Sequence, residues 1–497
     1  MTESETNKNL PSQNESLAGN FMQAHWRSGK RVKKSKATLL IPVENQVREL
    51  DPKLLLAYIA VKRGFSCILG FRREIHFHIT SFPRGIYLSK SITGASDLMF
   101  RIMRKLGHAI VAWDEEALVH LPPDTYFSRR LSPVAMAFVS CMLAWGQDNA
   151  ELWQQYPHLP NSTEIHVTGN PRNDLLRPEI RPYYEEMVAE LRERYGDFIL
   201  INTNFNHVNA FYPGLNLFVP NSKPGEEPTP GRAAKGMSRE YAEGLRNHKQ
   251  AIFEKFQQLI PAVEKAFPEH NFVVRPHPTE NQEIYRQIAA RCKRVEITNE
   301  GNVVPWLMAA RALIHNGCTT GVEAYVMGVP AISYRATVNE NYDYGFYRLP
   351  NLLSHQCFDF EELSITLGKI LAGELGAASG DERETLVRRH LAALDGPLAC
   401  QRIVDVCEKI VERRSEYTKP SLLDLVTGYC MANMRTLKRQ VKACLPRAHH
   451  KPEFHRHRYP KVSLEEVRYR MSLFQQLLSD TRKPQVQQIS NKFFQIS

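Results

Sequence analysis

Two polar loops follow strand-like segments in the second half of the chain, and their residue types suit the binding of a phosphate group. The apolar run Phe272-Val273-Val274 leads into Arg275-Pro276-His277-Pro278, and Ala312-Leu313-Ile314-His315 leads into Asn316-Gly317-Cys318-Thr319-Thr320-Gly321. The two prolines restrict the backbone on both sides of His277 and therefore limit where its imidazole can point. In open α/β sheets, ligands bind outside the carboxyl ends of the strands. Both loops are therefore expected at one ligand-binding sheet edge.

The second loop has the features of an anion site. Gly317 lets the backbone approach a ligand closely, and Thr319 and Thr320 supply hydroxyl donors. A helix that begins near Thr320 would direct its first amide groups into the same space, where its dipole favours an anion. Glu323, one turn into that helix, would accept hydrogen bonds from ribose hydroxyls. A phosphate held by an imidazole, hydroxyls and backbone amides needs no metal ion.

A third polar loop, Asn202-Thr203-Asn204-Phe205-Asn206, follows the apolar run Phe198-Ile199-Leu200-Ile201. Its asparagine side chains suit phosphate or sugar hydroxyls, and turn chemistry alone is the alternative explanation. The residues predicted to bind the donor at this sheet edge are Arg275, His277, Asn316, Gly317, Thr319, Thr320, Glu323 and Asn204.

An acidic run lies at the end of a predicted strand in the first half of the chain. Ala109–Trp113 leads into Asp114, Glu115 and Glu116. A carboxylate in this position suits a general base that takes a proton from a sugar hydroxyl. The alternative is a solvated acidic helix start, which the helix dipole favours. Arg172, after another predicted strand, suits either a phosphate contact or an interdomain ion pair, and we expect it with Asp114 on the acceptor side.

These motifs together resemble those of GT-B glycosyltransferases that use CMP-activated sugars, such as bacterial sialyltransferases, polysialyltransferases and Kdo transferases. Members carry a His-Pro motif and a Ser/Thr pair that hold the nucleotide phosphate, and two acidic residues followed by glycine. Here the acidic motif corresponds to Glu115-Glu116-Ala117, with alanine in place of glycine. The resemblance implies that His277 stabilises the departing phosphate and that Glu115, the first of the acidic pair, is the base, with Glu116 beside it in the catalytic set.

The resemblance covers about residues 36 to 375, and the whole chain also resembles the bacterial surface carbohydrate biosynthesis protein group. Thr168 to Asp174 is similar to segments of CDP-glycerol glycerophosphotransferases and UDP-GlcNAc 2-epimerases. These resemblances imply an inverting, metal-independent glycosyltransferase of surface polysaccharide, capsule or lipopolysaccharide biosynthesis. Its substrates would be a nucleotide sugar, expected to be a CMP-activated acidic sugar, and a glycan or lipid-linked acceptor, with no cofactor. A CDP-glycerol-type phosphotransferase, a UDP-sugar 2-epimerase and a non-catalytic nucleotide-sugar-binding scaffold are the alternatives.

Size and composition are those of a cytoplasmic protein with more than one core. A chain of 497 residues is too long for a single ordinary core, which predicts two α/β domains. The longest apolar run, from Val134 to Trp145, is too short to span a bilayer. The polar residues 1–36 contain no signal-peptide core. Nine cysteines without close C-x-x-C pairs indicate neither a zinc site nor a disulfide framework.

The net charge of +11 favours acidic partners. Nine Lys or Arg residues lie between Met431 and Lys461, against one acidic residue, Glu453. This segment predicts contact with an anionic membrane surface, on the inner face of the cytoplasmic membrane, with a merely solvated basic face as the alternative. The sequence contains no nucleic-acid-binding motif, and we therefore expect no nucleic acid partner.

The order of predicted elements, together with the resemblance, implies a GT-B-like α/β fold in which two Rossmann-like domains face each other across a cleft. Asp51 is predicted to cap the first helix, and His76–Thr80 is predicted to be a strand. The predicted units are a disordered tail (1–36), an N-terminal acceptor domain (37–180), a helical bridge (181–196), a C-terminal donor domain (197–375) and a basic helical extension (376–497).

Overall fold

The computed structural model describes residues 35–219, 227–343, 348–413, 419–443, 459–460, 462–479, 481 and 483–497. The predicted tail lies almost entirely outside these residues, and so does much of the basic segment between 431 and 461. The described chain forms two parallel sheets covered by helices, followed by a largely helical C-terminal region. The predicted GT-B-like architecture of two Rossmann-like domains with a helical extension is confirmed.

The first sheet belongs to the N-terminal domain, and its parallel strands run in the order β2-β1-β3-β4-β5-β6. In chain order these strands are β1 Thr38–Val43, β2 Ser66–Phe71, β3 Gly85–Ser89, β4 Ala109–Ala112, β5 Cys141–Ala144 and β6 Glu164–Val167. Every residue of the first five strands is buried, because helices cover both sheet faces. Such double burial explains the nearly continuous apolar runs that identified these strands in the sequence.

The helices of this domain are α1 Gln46–Lys62, α2 Arg72–Phe77, α3 Asp97–Lys105, α4 Pro123–Arg130, α5 Pro133–Met136, α6 Gln147–Gln154 and α7 Pro171–Asp174. The predicted cap at Asp51 is wrong, since α1 begins five residues earlier. The carboxylate of Glu49 accepts hydrogen bonds from the amides of Glu44 and Asn45 and closes the turn there. Asp51 is instead buried inside the helix, where it accepts hydrogen bonds from the hydroxyls of Tyr183 and Tyr184.

The predicted strand His76–Thr80 is also wrong. The chain turns directly from β2 into α2 and then into a single 3-10 turn, Ile79–Ser81. The alternation of polar and apolar residues in this segment imitates a half-buried strand, but here it places Ile75 and Ile79, four residues apart, in the core. Short segments of this kind fit both periodicities, and packing decides between them.

The second sheet belongs to the C-terminal domain, and its strands are all parallel in the order β11-β10-β7-β12-β13-β14. The strands and a separate short pair are β7 Phe198–Thr203, β8 Phe218–Val219, β9 Thr229–Pro230, β10 Asn271–Pro276, β11 Val295–Ile297, β12 Ala312–His315, β13 Ala331–Tyr334 and β14 His355–Cys357. The helices are α8 Glu185–Tyr195, α9 Arg239–Ala266, α10 Glu283–Ala289, α11 Val303–Ala309, α12 Thr320–Met327, α13 Glu340–Asp343, α14 Arg348–Leu352 and α15 Phe360–Leu371. The short strand β11, between α10 and α11, was not predicted.

The C-terminal region folds back onto the N-terminal domain. It contains α16 Asp381–His390, α17 Ala399–Glu412, α18 Leu422–Ala443, α19 Leu464–Leu477 and a hairpin formed by β15 Val486–Ser490 and β16 Phe493–Ile496. Strand β16 pairs antiparallel with β2 and so extends the first sheet, which sequence analysis did not predict. The hairpin covers an edge of the sheet that would otherwise be open to pairing with another chain.

We expect Phe493→Ala to lower the free energy of unfolding by about 3–5 kcal/mol, because truncation of a fully buried phenylalanine leaves a cavity. Phe493 is 0% exposed and packs edge-on against Phe82. Urea denaturation followed by circular dichroism measures the change. Gln487→Ala, at an exposed position of β15, is the matched control. Equal midpoints for the two variants would show that the hairpin contributes nothing to the stability of the sheet.

Candidate active site between the two domains

An ion pair joins the carboxyl ends of the two sheets. Arg172, in α7 after β6, places its Nη2 2.6 Å from Oε1 of Glu323 in the first turn of α12. Both side chains are largely buried, and the Arg172 guanidinium lies over the Trp145 ring with a separation of 5.7 Å. Sequence analysis predicted either a phosphate contact or an interdomain ion pair for Arg172, and in the structure Arg172 forms the ion pair. The loops after the strands of both sheets are therefore brought to the same cleft.

His277 directly follows β10 and is held in a defined orientation. Its backbone amide donates to the Thr203 carbonyl over 3.1 Å and to Glu280 Oε1 over 3.0 Å. Its Nδ1 accepts from the Thr279 amide and lies 2.8 Å from Thr279 Oγ1. With Nδ1 used as an acceptor, the neutral ring carries its proton on Nε2. An imidazole in this tautomer can donate from Nε2 to a phosphate oxygen.

Glu280 anchors this loop and was missed by sequence analysis. It is 1% exposed, and its carboxylate accepts hydrogen bonds from the hydroxyls of Thr203, at 3.1 Å, and Tyr285, at 2.6 Å, besides the His277 amide. Burial raises the pKa of Glu280 above its ordinary value. The spacing His-x-x-Glu between a strand and a helix was the available signal, since a side chain three residues on can reach back to a loop amide.

Arg275 does not lie at the donor loops as predicted. Its guanidinium donates to the carbonyls of Glu300, over 2.7 Å, and Gly301, and it stacks on Trp306 at 4.5 Å. Burial lowers the pKa of Arg275 to about 9. Side chains alternate between the two faces of a strand, which places Arg275 on the face of Val273, toward the helix that carries Trp306. Its role in the described structure is to fix the loop before α11.

The loop after β12 is organised by His315, which is fully buried. Ser354 donates its hydroxyl proton to the Pro350 carbonyl over 2.8 Å and therefore accepts from His315 Nε2, also at 2.8 Å. His315 Nδ1 in turn accepts from the Gly317 amide over 2.9 Å. Gly317 has a φ of +81°, which a residue with a side chain rarely adopts. This chain of hydrogen bonds fixes the predicted phosphate loop on a rigid base.

Gly321 packs directly on the same histidine. A Cβ atom at this position would lie 2.6 Å from His315 Nε2, so only glycine fits. Helix α12 begins at Thr320, as predicted, with Thr319 at its N-cap. Both threonines are half-buried, and the Thr320 hydroxyl lies 2.6 Å from Cys318 Sγ. Strands β10 and β12 lie on either side of β7 in the sheet. The first turn of α12, which follows β12, therefore lies near the His277 loop, which follows β10.

Several buried acceptor atoms at this edge have no hydrogen-bond partner within the described part of the chain. They belong to the end of β7 and the loop after it, to the loop after β12 and to α12, and they are Asn202 Oδ1, Asn204 Oδ1, Asn316 Oδ1 and Glu323 Oε2. The side-chain Nδ2 of Asn316 donates to the backbone carbonyl of Asn204 over 3.4 Å, which links the two loops. Buried polar groups in proteins are nearly always paired, so a cluster of unpaired ones is a feature of binding sites rather than of cores.

The three carboxylates after β4 have three different environments. Asp114 is 0% exposed and forms a two-pronged ion pair with Arg130, and it accepts a hydrogen bond from Tyr126 over 2.9 Å. Asp114 therefore holds α4 against the sheet. The prediction that it lies on the acceptor side is wrong, because its carboxylate is buried and already bound. Glu115 is 6% exposed, with Oε1 2.9 Å from Trp113 Nε1 and 3.6 Å from Lys53 Nζ.

Glu116 is the carboxylate that reaches solvent. Its side chain is 55% exposed and lies 3.7 Å from Arg48, which is itself within electrostatic range of Glu323. The acidic loop of one domain and the phosphate loop of the other therefore share the same cationic neighbour. Ala117 is buried in the core with an ordinary negative φ, so alanine in place of glycine imposes no backbone strain.

A buried charge network beneath the acidic loop was also missed. Lys53 Nζ donates to the Pro42 carbonyl at the end of β1 over 2.6 Å and to Glu49 over 2.7 Å, and Lys90 after β3 pairs with the same carboxylate. Burial would raise the pKa of Glu49, but Lys53 and Lys90 hold it well below its ordinary value. The i, i+4 spacing of Glu49 and Lys53 was the signal in the sequence. This network fixes the end of β1 and leaves Glu115 against a cation.

A metal site is not formed by the residues that the structure describes, since no group of three His, Cys, Asp or Glu side chains is close enough to hold an ion. Four further histidines, which lie between residues 449 and 457, are outside the part of the chain that the structure describes.

No protein-family model and no curated protein matches this sequence. Solved structures with a similar fold include the wall teichoic acid polymerase TagF, at 11% identity and a TM-score of 0.47, over 81% of this chain and 96% of that chain. UDP-GlcNAc 2-epimerases are also similar. The enzyme from Neisseria meningitidis bound to UDP-GlcNAc has 12% identity, a TM-score of 0.43 and coverage of 75% and 100%, and that from Methanocaldococcus jannaschii has 12%, 0.42, 74% and 98%. At such identities the likeness concerns the fold alone.

Two buried histidines make the fold sensitive to acid. Burial lowers the pKa of His315 to about 3 and that of His108 to about 4, well below the ordinary value of 6.5. Below pH 6.5 the unfolded chain binds protons that the folded chain does not, so stability falls on acidification until the folded pKa is reached. Each histidine contributes up to about 1.4 kcal/mol per pH unit in this window.

We therefore expect His315→Asn and His108→Asn to flatten the dependence of the unfolding free energy on pH, measured by urea denaturation between pH 7.5 and the acid limit. Asparagine Oδ1 can replace Nδ1 as an acceptor but does not titrate. His315→Asn also loses the Ser354 contact that steadies the loop after β12. Variants with the same pH slope as the unmodified protein would contradict this account.

Proposed function

We propose that this protein is a glycosyltransferase of cell-surface carbohydrate biosynthesis that transfers a CMP-activated acidic sugar to a glycan or lipid-linked acceptor. The C-terminal domain would hold the nucleotide sugar, and the N-terminal domain would hold the acceptor. The observation that supports the proposal is the Arg172–Glu323 ion pair at 2.6 Å, since it joins the carboxyl ends of the two sheets, which the acidic loop and the phosphate loop follow. Transfer between two substrates requires that the residues binding each of them lie close together.

The donor contacts are proposed at the unpaired polar atoms of the C-terminal domain. A nucleotide sugar carries the hydroxyl and N–H donors that the acceptor atoms of Asn202, Asn204, Asn316 and Glu323 lack. Its phosphate would lie between His277 and the start of α12, with Thr319 and Thr320 as hydroxyl donors and Gly317 as the point of close backbone approach. Arg275 is left out of this set because it is engaged elsewhere.

The reaction would be a single displacement with inversion. The acceptor oxygen forms a bond to the anomeric carbon while the bond from that carbon to the phosphate oxygen breaks. The acceptor proton moves to a carboxylate of the acidic loop, and the negative charge that develops on the departing phosphate is stabilised by His277 and the α12 N-terminus. Charge stabilisation by these groups requires no metal ion.

Glu116 fits the role of base better than Glu115, on which the resemblance placed it. The carboxylate of Glu116 is exposed and lies 3.7 Å from Arg48, whereas Glu115 is almost buried and in contact with Trp113 and Lys53. A general base must come within hydrogen-bond reach of the hydroxyl that it deprotonates. We place Glu115 beneath it, as the residue that positions the loop.

The partners proposed beyond the donor are a glycan or lipid-linked acceptor and an anionic membrane surface on the cytoplasmic side. Within the described chain, no helix is both long enough and apolar enough to cross a bilayer. Contact with a membrane would then be made at its surface.

The experiment that tests the function is incubation of the purified full-length protein with CMP-, CDP- and UDP-linked donors, with nucleotide release as the readout. Release of CMP from a CMP-linked acidic sugar is the expected result. Release of CMP from CDP-glycerol would identify a phosphotransferase, and interconversion of a UDP-sugar without release would identify an epimerase. Binding of a nucleotide sugar without turnover of any donor would indicate the remaining alternative, a non-catalytic nucleotide-sugar-binding scaffold.

We expect His277→Ala to reduce transfer by about a hundredfold or more, since it removes an electrostatic contact made in the transition state. The stability of the fold should not change, because His277 is a half-buried loop residue. His355→Ala, at the amino end of β14, is the matched control. Unchanged turnover and nucleotide affinity in His277→Ala would rule out the proposed phosphate contact.

Glu116→Gln should reduce transfer by about a hundredfold or more, the usual size of a general-base contribution, while donor affinity stays unchanged. Glu115→Gln should have a smaller effect on turnover. The comparison is made from kcat and donor KM at neutral pH. A larger loss in Glu115→Gln would return the base to Glu115, and near-normal transfer by both variants would remove the acidic loop from the mechanism.

A further inference from the structure

The C-terminal helix α18, Leu422–Ala443, packs against the N-terminal domain along one side only. Gly428 and Ala432 are buried against α3, where a Cβ atom on Gly428 would lie 3.0 Å from Leu106. Lys105 at the end of α3 pairs with Asp424, and the Tyr429 hydroxyl donates to the Thr80 carbonyl over 3.2 Å. These contacts fix how the helix is rotated and therefore which side chains face outward.

The outward face of α18 is apolar over its whole length. The exposed fractions are Leu422 78%, Leu423 76%, Val426 53%, Tyr429 44%, Met434 57%, Leu437 63% and Val441 60%. At the helical rotation per residue, Leu423, Val426, Met434, Leu437 and Val441 fall within an arc of about 80° that extends for about 27 Å. We call these five residues the apolar stripe. A folded protein rarely leaves so long a row of large apolar side chains in water.

The charges around the stripe have one sign. Asp424 is the sole acidic residue in the sequence of α18, and it is paired with Lys105. Of the cations in its second half, Arg435 is buried and Arg439 half-buried toward the N-terminal domain, whereas Lys438 is exposed directly beside the stripe. The sequence from Met431 to Lys461 contains nine Lys or Arg residues and one acidic residue. The described surface is therefore apolar in its centre, with the cation Lys438 on its flank, and the sequence that follows is strongly basic.

We infer that the apolar stripe inserts into the interface of an anionic lipid bilayer, with α18 lying in the plane of the membrane. An apolar face bordered by lysine and arginine is the pattern of helices that bind membrane surfaces. Cations beside the apolar face find their counter-ions in acidic headgroups. A second copy of the chain matches the apolar stripe but offers no acidic surface on this helix to the cationic flank.

The helix also leads toward the candidate active site. It starts beside the end of α3, below the amino end of β4, and it ends where Arg439 is within electrostatic range of Arg72 and Arg73. These two residues directly follow β2, at the carboxyl edge of the first sheet. If the proposed function holds, a lipid-linked acceptor in the same membrane would be presented to that edge. Binding of the membrane does not itself depend on catalysis.

The test is flotation of the full-length protein with vesicles of phosphatidylcholine, with and without phosphatidylglycerol. We expect binding to the anionic vesicles and at least about a tenfold loss of affinity in Leu423→Gln/Leu437→Gln, since each leucine contributes through burial. Lys438→Glu and added salt should weaken binding as well. Ile365→Gln/Val338→Gln is the matched control, because both residues are exposed on the other domain.

Equal binding by the stripe variant and the control variant would overturn the inference, as would equal binding of the unmodified protein to neutral vesicles. Sedimentation without lipid is the second measurement. A dimer that the stripe substitutions convert to a monomer would show that a second copy covers α18, and it would also overturn the inference. Nucleotide release in lipid-free solution should be the same in both variants, so failure of the proposed function appears separately, as absent release in all proteins.

Discussion

The contact between Arg172 and Glu323 is the constraint on which the cleft depends. Removing two charges from water is costly, and in a buried site the cost is offset only when the partners meet with good geometry. At 2.6 Å, with Trp145 beneath the guanidinium, they do. The pair fixes the distance between the two sheet edges. The approach of the two sheet edges therefore depends on one arginine after β6 and one glutamate at the start of α12.

The two sides of the cleft are built by different means. On the C-terminal side, hydrogen bonds through His315 and the Glu280 carboxylate hold the two loops rigid, and burial keeps His315 uncharged near neutral pH. On the N-terminal side, buried ion pairs of Lys53, Lys90 and Arg130 hold the acidic loop. The ion pairs of the N-terminal side place a cation beside two of the three carboxylates of the acidic loop, Asp114 and Glu115.

The C-terminal region connects the fold with its surroundings. Strand β16 completes the first sheet, so the chain after residue 376 is part of the N-terminal domain as well as an appendage to it. Asp174 makes a second connection, since its carboxylate accepts hydrogen bonds from the amides of Ala399 and Cys400 at the start of α17. Burial raises the pKa of Asp174 to about 6. Within the described part of this region, α18 is the helix that turns a large apolar surface away from the assembly.

The sequence by itself determined most of the parallel strands, the helix start at Thr320 and the loops that follow β4, β7, β10 and β12, because buried strands and turn residues leave a local pattern. It could not decide what each polar side chain would contact. Arg275 faces the core side of its strand, Asp114 is paired with Arg130, and Glu323 meets Arg172 across the cleft. Each of these contacts joins residues that are distant in sequence or on another element, and side-chain partners of that kind exist only after the sheets have packed. The return of β16 to β2 is of the same nature, since a four-residue strand gains its stability from the sheet that it joins.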